Sequence, residues 1–353
     1  MRALVAMSGG VDSSVAAAAM VEQGHEVVGV TLKQWEGPDG RLPTAGCCTV
    51  ADAEDARRVA ARLGVPYYVL DYTDQFAREV VARFGEGYLA GRTPNPCIEC
   101  NRRVRFGALL DRVEALGCDV LVTGHHARVD HVDGRFRLLA GRDSAKDQSY
   151  VLHMLGQAEL ARIVLPIGEM TKEQVRAEAE RLGLRTATKP DSQDLCFVQG
   201  DYRDFLREHF PDSARPGSIV DSDGVVVGSH DGVSGFTVGQ RRGLGVSVGE
   251  PRYVLRVDAA TATVTLGPRS ALEVEGCALD EVSFVAGAAV SDGLEVGVKV
   301  RYRSRPVPAV LRRSAAGWQI RFDRPAEGVA PGQAAVFYLD DEVLGGGTIV
   351  AAA

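Results

Sequence analysis

The stretch Ala6-Met7-Ser8-Gly9-Gly10-Val11-Asp12-Ser13-Ser14 joins two segments of opposite character. Arg2 to Met7 is a short apolar run that reads as a buried strand, and Asp12 to Gln23 is an alanine-rich helical pattern stopped by Gly24. Two glycines let the intervening backbone turn tightly and approach an oxyanion. Serine hydroxyls add donors, and the helix N-terminus adds unpaired N–H groups and the positive end of a dipole. Pyrophosphate suits such a turn. The Gly-Lys-Ser/Thr ending of a Walker A loop is absent.

Working outward, Glu26 to Leu32 reads as a second strand and Ala51 to Leu63 as a helix stopped by Gly64. Tyr67 to Asp71 and Asp119 to Thr123 read as further strands, with helices from about Asp74 to Phe84 and from Asn101 to Leu116 between them. Strands alternating with helices predict an α/β fold with a doubly wound parallel sheet. Its ligands would bind beyond the carboxyl ends of the strands, where the loops after Met7, Leu32 and Thr123 gather. Thr171 to Gln174 has capping-box spacing and opens a helix to Leu182, with helical character to about Leu184.

From Gly217 onward the texture changes to Val, Gly and Asp, with turn signals at Asp223-Gly224 and Asp231-Gly232. Glu295 to Tyr302, Ala309 to Arg313, Trp318 to Phe322, Ala334 to Tyr338 and Glu342 to Leu344 read as closely spaced strands of a small antiparallel β-barrel. The expected layout is a catalytic domain over 1–204, a small central β-rich domain over 205–274 and the barrel over 275–353.

Composition agrees with two or three domains: 353 residues, 45% hydrophobic and 25% charged, can bury more than one core. No apolar run approaches the roughly 20 residues of a membrane span, and Met1 to Met7 is too short for a secretory signal. Seven cysteines, an odd number thinly spread, argue for reduced thiols in a cytoplasmic protein. The net charge of −7 means that any nucleic-acid partner needs a local basic face. Candidates are Arg102, Arg103 and Arg105, then Arg241 and Arg242, then Arg301, Arg303 and Arg305.

Cys97-Ile98-Glu99-Cys100 follows Gly91-Arg92-Thr93-Pro94-Asn95-Pro96, and Cys196 ends the run from Asp191 to Cys196. Prolines stiffen a loop that would deliver Cys100 to a helix start, where the dipole favours thiolate. A nucleophile or sulfur carrier needs that state. The same cysteines, completed by His125 or His126, could instead hold structural zinc. Cys118 and Cys277 read as small buried hydrophobes.

The string Ser8 to Ser14 resembles the signature of the ATP pyrophosphatases, which cleave ATP to AMP and pyrophosphate while adenylating a substrate oxygen. Gly91 to Asn101, Thr123-Gly124-His125, Lys146 to Tyr150, Lys189 to Phe197, Thr237 to Gly245 and Pro331-Gly332-Gln333 are similar, in that order, to the bacterial tRNA-specific 2-thiouridylase family. The resemblance implies that Cys196 carries a persulfide and that Cys100 is the partnering nucleophile, able to form a disulfide with Cys196 as sulfur leaves. It implies ATP contacts from Ala6, Met7, Ser8, Gly9, Gly10, Val11, Asp12, Ser13, Leu32 and Gly124. Contacts to tRNA would come from His125, Lys146, Asp147, Gln148, Arg301, Tyr302 and Gln333, with Asn95, Pro96 and Cys97 near the target base.

Magnesium is expected with ATP, Asp12 being either a contact or a helix cap, and a separate protein would donate the persulfide sulfur. One departure matters: many family members have Asp where this chain has Cys97, so the general acid/base role expected of that carboxylate does not transfer. Cys97, Cys100 and Cys196 could together bind an iron–sulfur cluster with one open iron, as an alternative to the persulfide route. Three rivals share parts of the pattern. An adenylating enzyme that uses ammonia or an amine would need the Ser8 to Ser14 loop but not the two thiols, an ATP-sensing regulator would bind nucleotide without turnover, and a metal-stabilised RNA-binding protein would hold a metal.

Overall fold

The computed structural model describes residues 1–36, 49–191, 195–246 and 250–352. Strand β1 (Arg2–Ala6) leads into helix α1 (Val11–Glu22), then β2 (Glu26–Lys33), α2 (Val50–Leu63), β3 (Tyr67–Asp71) and β4 (Val120–Thr123). A hairpin of β5 (Ala127–Val132) and β6 (Arg135–Ala140) and a short β7 (Ile163–Val164) follow. β1 to β4 and β7 form one parallel sheet in the order β3-β2-β1-β4-β7. Ala3, Leu4 and Val5 of the central strand are fully buried, as a strand covered on both faces requires.

One face packs α1 and the helix Lys172–Arg181 through Val15, Ala16, Val175 and Ala179. The other packs helical stretches 73–89 and 96–115 through Phe76, Phe84, Val104 and Leu109. β2 and β4 flank β1 on opposite sides, so the chain reverses direction across the sheet at β1 and opens a crevice past its carboxyl end. α2 is closed by a Thr49–Asp52 capping box and by Gly64 in the left-handed region at φ +71°.

The central unit contains β8 (Gly217–Val220), β9 (Val226–His230), β10 (Tyr253–Asp258) and β11 (Thr263–Gly267), ordered β10-β11-β8-β9 around Ile219, Val254 and Val264. Asp223-Gly224 lies between β8 and β9, with Gly224 at φ +81°. Helix Tyr202–His209 precedes this unit and buries Phe205 and Leu206 in the catalytic core.

β12 (Val274–Phe284), β13 (Glu295–Lys299), β14 (Val307–Ser314), β15 (Gly317–Ala326), β16 (Ala334–Leu339) and β17 (Glu342–Ala352) follow one another as β12-β15-β14-β13-β16-β17, and β17 pairs back to β12, closing the barrel.

Three elements depart from expectation. β12 was not anticipated, because register shifts along it break the alternation of its side chains. β17 runs past Leu344 through Gly345, Gly346 and Gly347: a Cβ on Gly345 would lie 2.1 Å from the Ser283 carbonyl oxygen, so glycine there reflects close approach of backbones. The β5–β6 hairpin was also missed, although Asp133 and Gly134 both have positive φ, the conformation that Asp-Gly favours in a two-residue hairpin turn. The hairpin leaves the parallel sheet and adds to the barrel, pairing Leu138 and Leu139 with Val343 and Glu342.

Candidate active site

The phosphate turn is held by its own hydroxyls. Ser8 N–H donates to Ser13 Oγ at 3.1 Å, and Ser13 Oγ and Ser14 Oγ donate to the Gly10 carbonyl at 3.2 and 2.8 Å. Gly10 is the N-cap of α1 with no side-chain cap, so the N-terminal N–H groups face the turn. Gly9 adopts φ +71°, and a Cβ there would fall 2.1 Å from the Asp52 carbonyl oxygen. Gly124, just past β4, meets α1 backbone to backbone: its Cβ would lie 2.6 Å from Ser13 N. These bare glycines leave a cradle of N–H groups that fits a chain of phosphates. Met7 and Leu32 are buried, the Met7 carbonyl accepting from Thr31 Oγ1 at 2.6 Å. Ala6 and Val11 complete the strand end and the first helical position.

Asp12 does not cap α1. Both its oxygens accept from Lys172 Nζ at 2.8 Å, and His126 Nε2 lies 3.2 Å away. Burial would raise the Asp12 pKa, but these two donors outweigh it and hold the carboxyl below its ordinary value. Lys172 also reaches Asp191 at 2.8 Å, and Asp191 accepts from Lys146 at 2.7 Å and Arg176 at 3.1 Å. Burial again works against ionisation of Asp191, and Lys146 and Lys172 overcome it, bringing its pKa to about 2. Lys189 Nζ donates to the Gly9 carbonyl at 3.0 Å and to Asp52 and Asp55 at 2.7 and 2.8 Å. Lys172, Arg176 and Lys189 were not singled out in the sequence. The partners Asp12 of Lys172 and Asp52 and Asp55 of Lys189 lie more than a hundred positions away, Arg176 meets Asp191 across a turn, and no local spacing announces them.

Cys100 sits deeper in its helix than expected. Asn95 is the N-cap, its side chain accepting from Cys97 N–H at 3.1 Å, and Pro96 begins the helix. The exposed Cys97 therefore occupies the first turn, while Cys100 lies a turn further in, where the dipole has faded. There Cys100 is buried at the start of the wide-turned segment Cys100–Ala108, and the Gln34 amide donates to its sulfur at 3.2 Å. Gln34 ends the loop-ward run of β2 and was missed because a lone glutamine carries no signal in sequence.

Cys196 is half-buried against the same core cluster that contains Cys100. Its neighbour Phe197 lies in a nest of Trp35, Phe76, Phe84 and Phe205, with ring centroids 5.2 to 6.3 Å away. Gln34 touches one thiol and Trp35 packs on the residue beside the other, so both cysteines gather past the carboxyl end of β2. Ser192, Gln193 and Asp194 lie outside the described residues. Among the described residues no three His, Cys, Asp or Glu side chains are grouped to hold a metal ion. The exposed Cys97, the buried Cys100 and the half-buried Cys196, as placed, do not form the ligand group of an iron–sulfur cluster.

Several residues expected at an RNA surface point inward. His125 is buried beside Phe106 and shares a 2.7 Å hydrogen bond with Thr123, and burial pushes its pKa down to about 3, so the ring is neutral. Asp147 accepts from the backbone of Gly141 and Ser149 and from Lys299 Nζ at 2.9 Å. Gln148 brackets the His126 backbone. Arg301 donates to the carbonyls of Gly328 and Val238, both at 2.9 Å. Tyr302 packs near Tyr150, and burial pushes its pKa up to about 12. Gln333 donates to the Thr93 carbonyl at 2.7 Å. Arg102 and Arg103 are engaged by Glu281 and Glu99, and Arg105 by Asn101, whereas Arg241, Arg242, Arg303 and Arg305 are exposed.

Three family models match in succession: a tRNA methyl transferase HUP domain over residues 1–200, a tRNA methyl transferase PRC-barrel domain over 203–268 and an aminomethyltransferase beta-barrel domain over 274–349. The chain is 48% identical to the tRNA-specific 2-thiouridylase MnmA of Roseiflexus sp., across 98% of each chain. It is 49% identical to the protein of the same name from Chloroflexus aggregans, across 98% of this chain and 97% of the other. A 4-thiouridine synthetase solved with RNA and ATP is 18% identical, covers 60% of this chain and 50% of its own, and has a TM-score of 0.38. With a phosphate turn at the head of its parallel sheet and this identity along nearly its whole length, the chain belongs to the tRNA-specific 2-thiouridylase family.

Proposed function

We propose that this chain is an ATP-dependent tRNA-uridine 2-sulfurtransferase acting on the wobble uridine, in which Cys196 carries the incoming sulfur and Cys100 releases it. What supports the reading is that Gln34 bonds the Cys100 sulfur while the adjacent Trp35 packs on Phe197, the neighbour of Cys196, in the stretch just after β2, the strand that lies beside β1 and its phosphate turn. Phosphates would lie on the N–H groups of α1, with Lys172 and Lys189 exchanging carboxylates for phosphate oxygens as charge arrives. Magnesium would travel with the ATP.

The uridine O2 attacks the α-phosphorus of ATP and expels pyrophosphate, which turns a poor leaving group into a good one. A persulfide donor protein has by then left a terminal sulfur on Cys196. That sulfur attacks C2, and AMP departs with the former O2. The base is then joined to Cys196 through a sulfur–sulfur bond. Cys100 thiolate attacks the Cys196 sulfur, the bond breaks with its electron pair passing to the base sulfur, and 2-thiouridine leaves a Cys100–Cys196 disulfide. An external thiol reductant returns both cysteines to the reduced state.

We assign catalysis to 1–204, a supporting role to 205–274 and RNA grip to 275–353. Lys146 and Tyr302 would meet RNA directly, joined by Arg241, Arg242, Arg303 and Arg305. Asn95 to Cys97 would face the target base, and His125, Asp147, Gln148 and Arg301 would shape the surface from within. The matched models carry methyl transfer in their descriptions, but the relatives similar along nearly the whole chain are 2-thiouridylases, which favours sulfur chemistry. The test is nucleoside mass spectrometry of tRNA from parent cells carrying Cys196→Ser: 2-thiouridine disappears, and its persistence at normal levels defeats the proposal. An amine-using relative would retain full activity in that variant, and a regulator would release no pyrophosphate with tRNA.

A further inference from the structure

Three of the sequence strings quoted for their family resemblance meet at a single residue, Thr93. Its N–H donates to the Pro331 carbonyl at 2.8 Å, its carbonyl accepts from Gln333 Nε2 at 2.7 Å, and its hydroxyl donates to Thr237 Oγ1 at 3.2 Å. Two partners belong to the barrel and one to the central unit. The approach is as close as backbone allows: Gly332 adopts φ +89°, and a Cβ there would lie 2.8 Å from Thr93 N and 2.9 Å from Arg92 Cβ. On the same loop Gly91 adopts φ +70°, with Val257 of the central unit 3.2 Å from its would-be Cβ. Arg301 ties the far side together by binding Val238, next to Thr237, and Gly328, near Pro331.

Two residues after Thr93, Asn95 caps the helix that carries Cys97 and Cys100. Residues 92–95 form no helix or strand, so contacts from outside set where that helix begins. Backbone groups drawn away from water have to be satisfied, and here the barrel satisfies both groups of the half-buried Thr93.

We propose that Thr93, Thr237, Gly332 and Gln333 form a positioning junction through which the barrel and the central unit set the placement and reactivity of Cys100, so that Gln333 acts on the thiol through Thr93. The proposal rests on the reading of Cys100 as the reacting thiol, but its test needs neither RNA nor turnover. A uridine-sulfurtransferase assay can fail without affecting it.

The experiment measures alkylation of Cys100 by N-ethylmaleimide in the full-length, RNA-free protein between pH 6 and 9, followed by peptide mass spectrometry. Gln333→Glu keeps the shape and removes the donor to Thr93; Thr93→Val removes the hydroxyl and Thr93→Ser keeps it. In Gln333→Glu and Thr93→Val the Cys100 rate, or the midpoint of its pH profile, shifts by about threefold or more, the range that one lost hydrogen bond supports. Thr93→Ser behaves as wild type, and the buried Cys118 keeps its rate in every variant. A Cys100 profile within about threefold of wild type in both Gln333→Glu and Thr93→Val overturns the junction. Thermal melting of each variant separates a local shift from general unfolding, and a parallel change at Cys118 also counts against the proposal.

Discussion

At the scale of single residues, the two thiols of the site differ from what a stiffened CxxC loop suggests. Helix dipole arguments favour the residue in the first turn, and that residue is Cys97; Cys100 depends on Gln34 instead. A donor on sulfur stabilises thiolate more than thiol, so Gln34→Leu should slow alkylation of Cys100 at neutral pH by about three- to tenfold, the worth of one hydrogen bond. Peptide mass spectrometry of the alkylated protein reads this directly, and an unchanged rate removes Gln34 from the account. The CxxC pair and Cys196 stand out in the sequence as candidates. Gln34 was not, because its meaning comes from the sixty-six positions that separate it from its partner.

At the scale of elements, the phosphate turn owes its shape to two helices and two strands that touch without side chains between them. Gly124 at the end of β4 abuts the first turn of α1. Gly124→Ala should push that turn aside and weaken nucleotide binding by about tenfold or more, since small misplacements of a binding frame are costly. Titration with a fluorescent ATP analogue measures the change. Full affinity in a folded variant would mean that the N-terminus of α1 does not hold the phosphates. Strand–turn–helix order around Gly9 and Gly10 was readable from periodicity and glycine placement, as was the capping box at Thr171. The Asp12–Lys172 pair was not, because 160 positions separate its members and either residue alone reads as a solvated helix charge.

At the scale of the whole molecule, a chain of net charge −7 must concentrate its cations to hold RNA. Arg102, Arg103 and Arg105 are occupied within the fold, whereas Arg241, Arg242, Arg303 and Arg305 lie exposed at the surface. Replacing Arg241 and Arg242 together with Ala should weaken tRNA binding by about tenfold near 0.1 M salt and flatten the dependence of log Kd on log salt by about one to two. Filter binding across a salt series tests both, and an unaltered slope would place the RNA elsewhere. The sequence by itself determined the alternating α/β pattern, the glycine-rich turn between β1 and α1 and the change to β-structure after Gly217, because each is written in spacings of a few residues. Only the tertiary structure decided that the β5–β6 hairpin joins the barrel, that Asp12 answers to Lys172, and that Thr93 binds both β units. Such contacts join residues far apart in the chain, and their energy exists only once the chain has closed on itself.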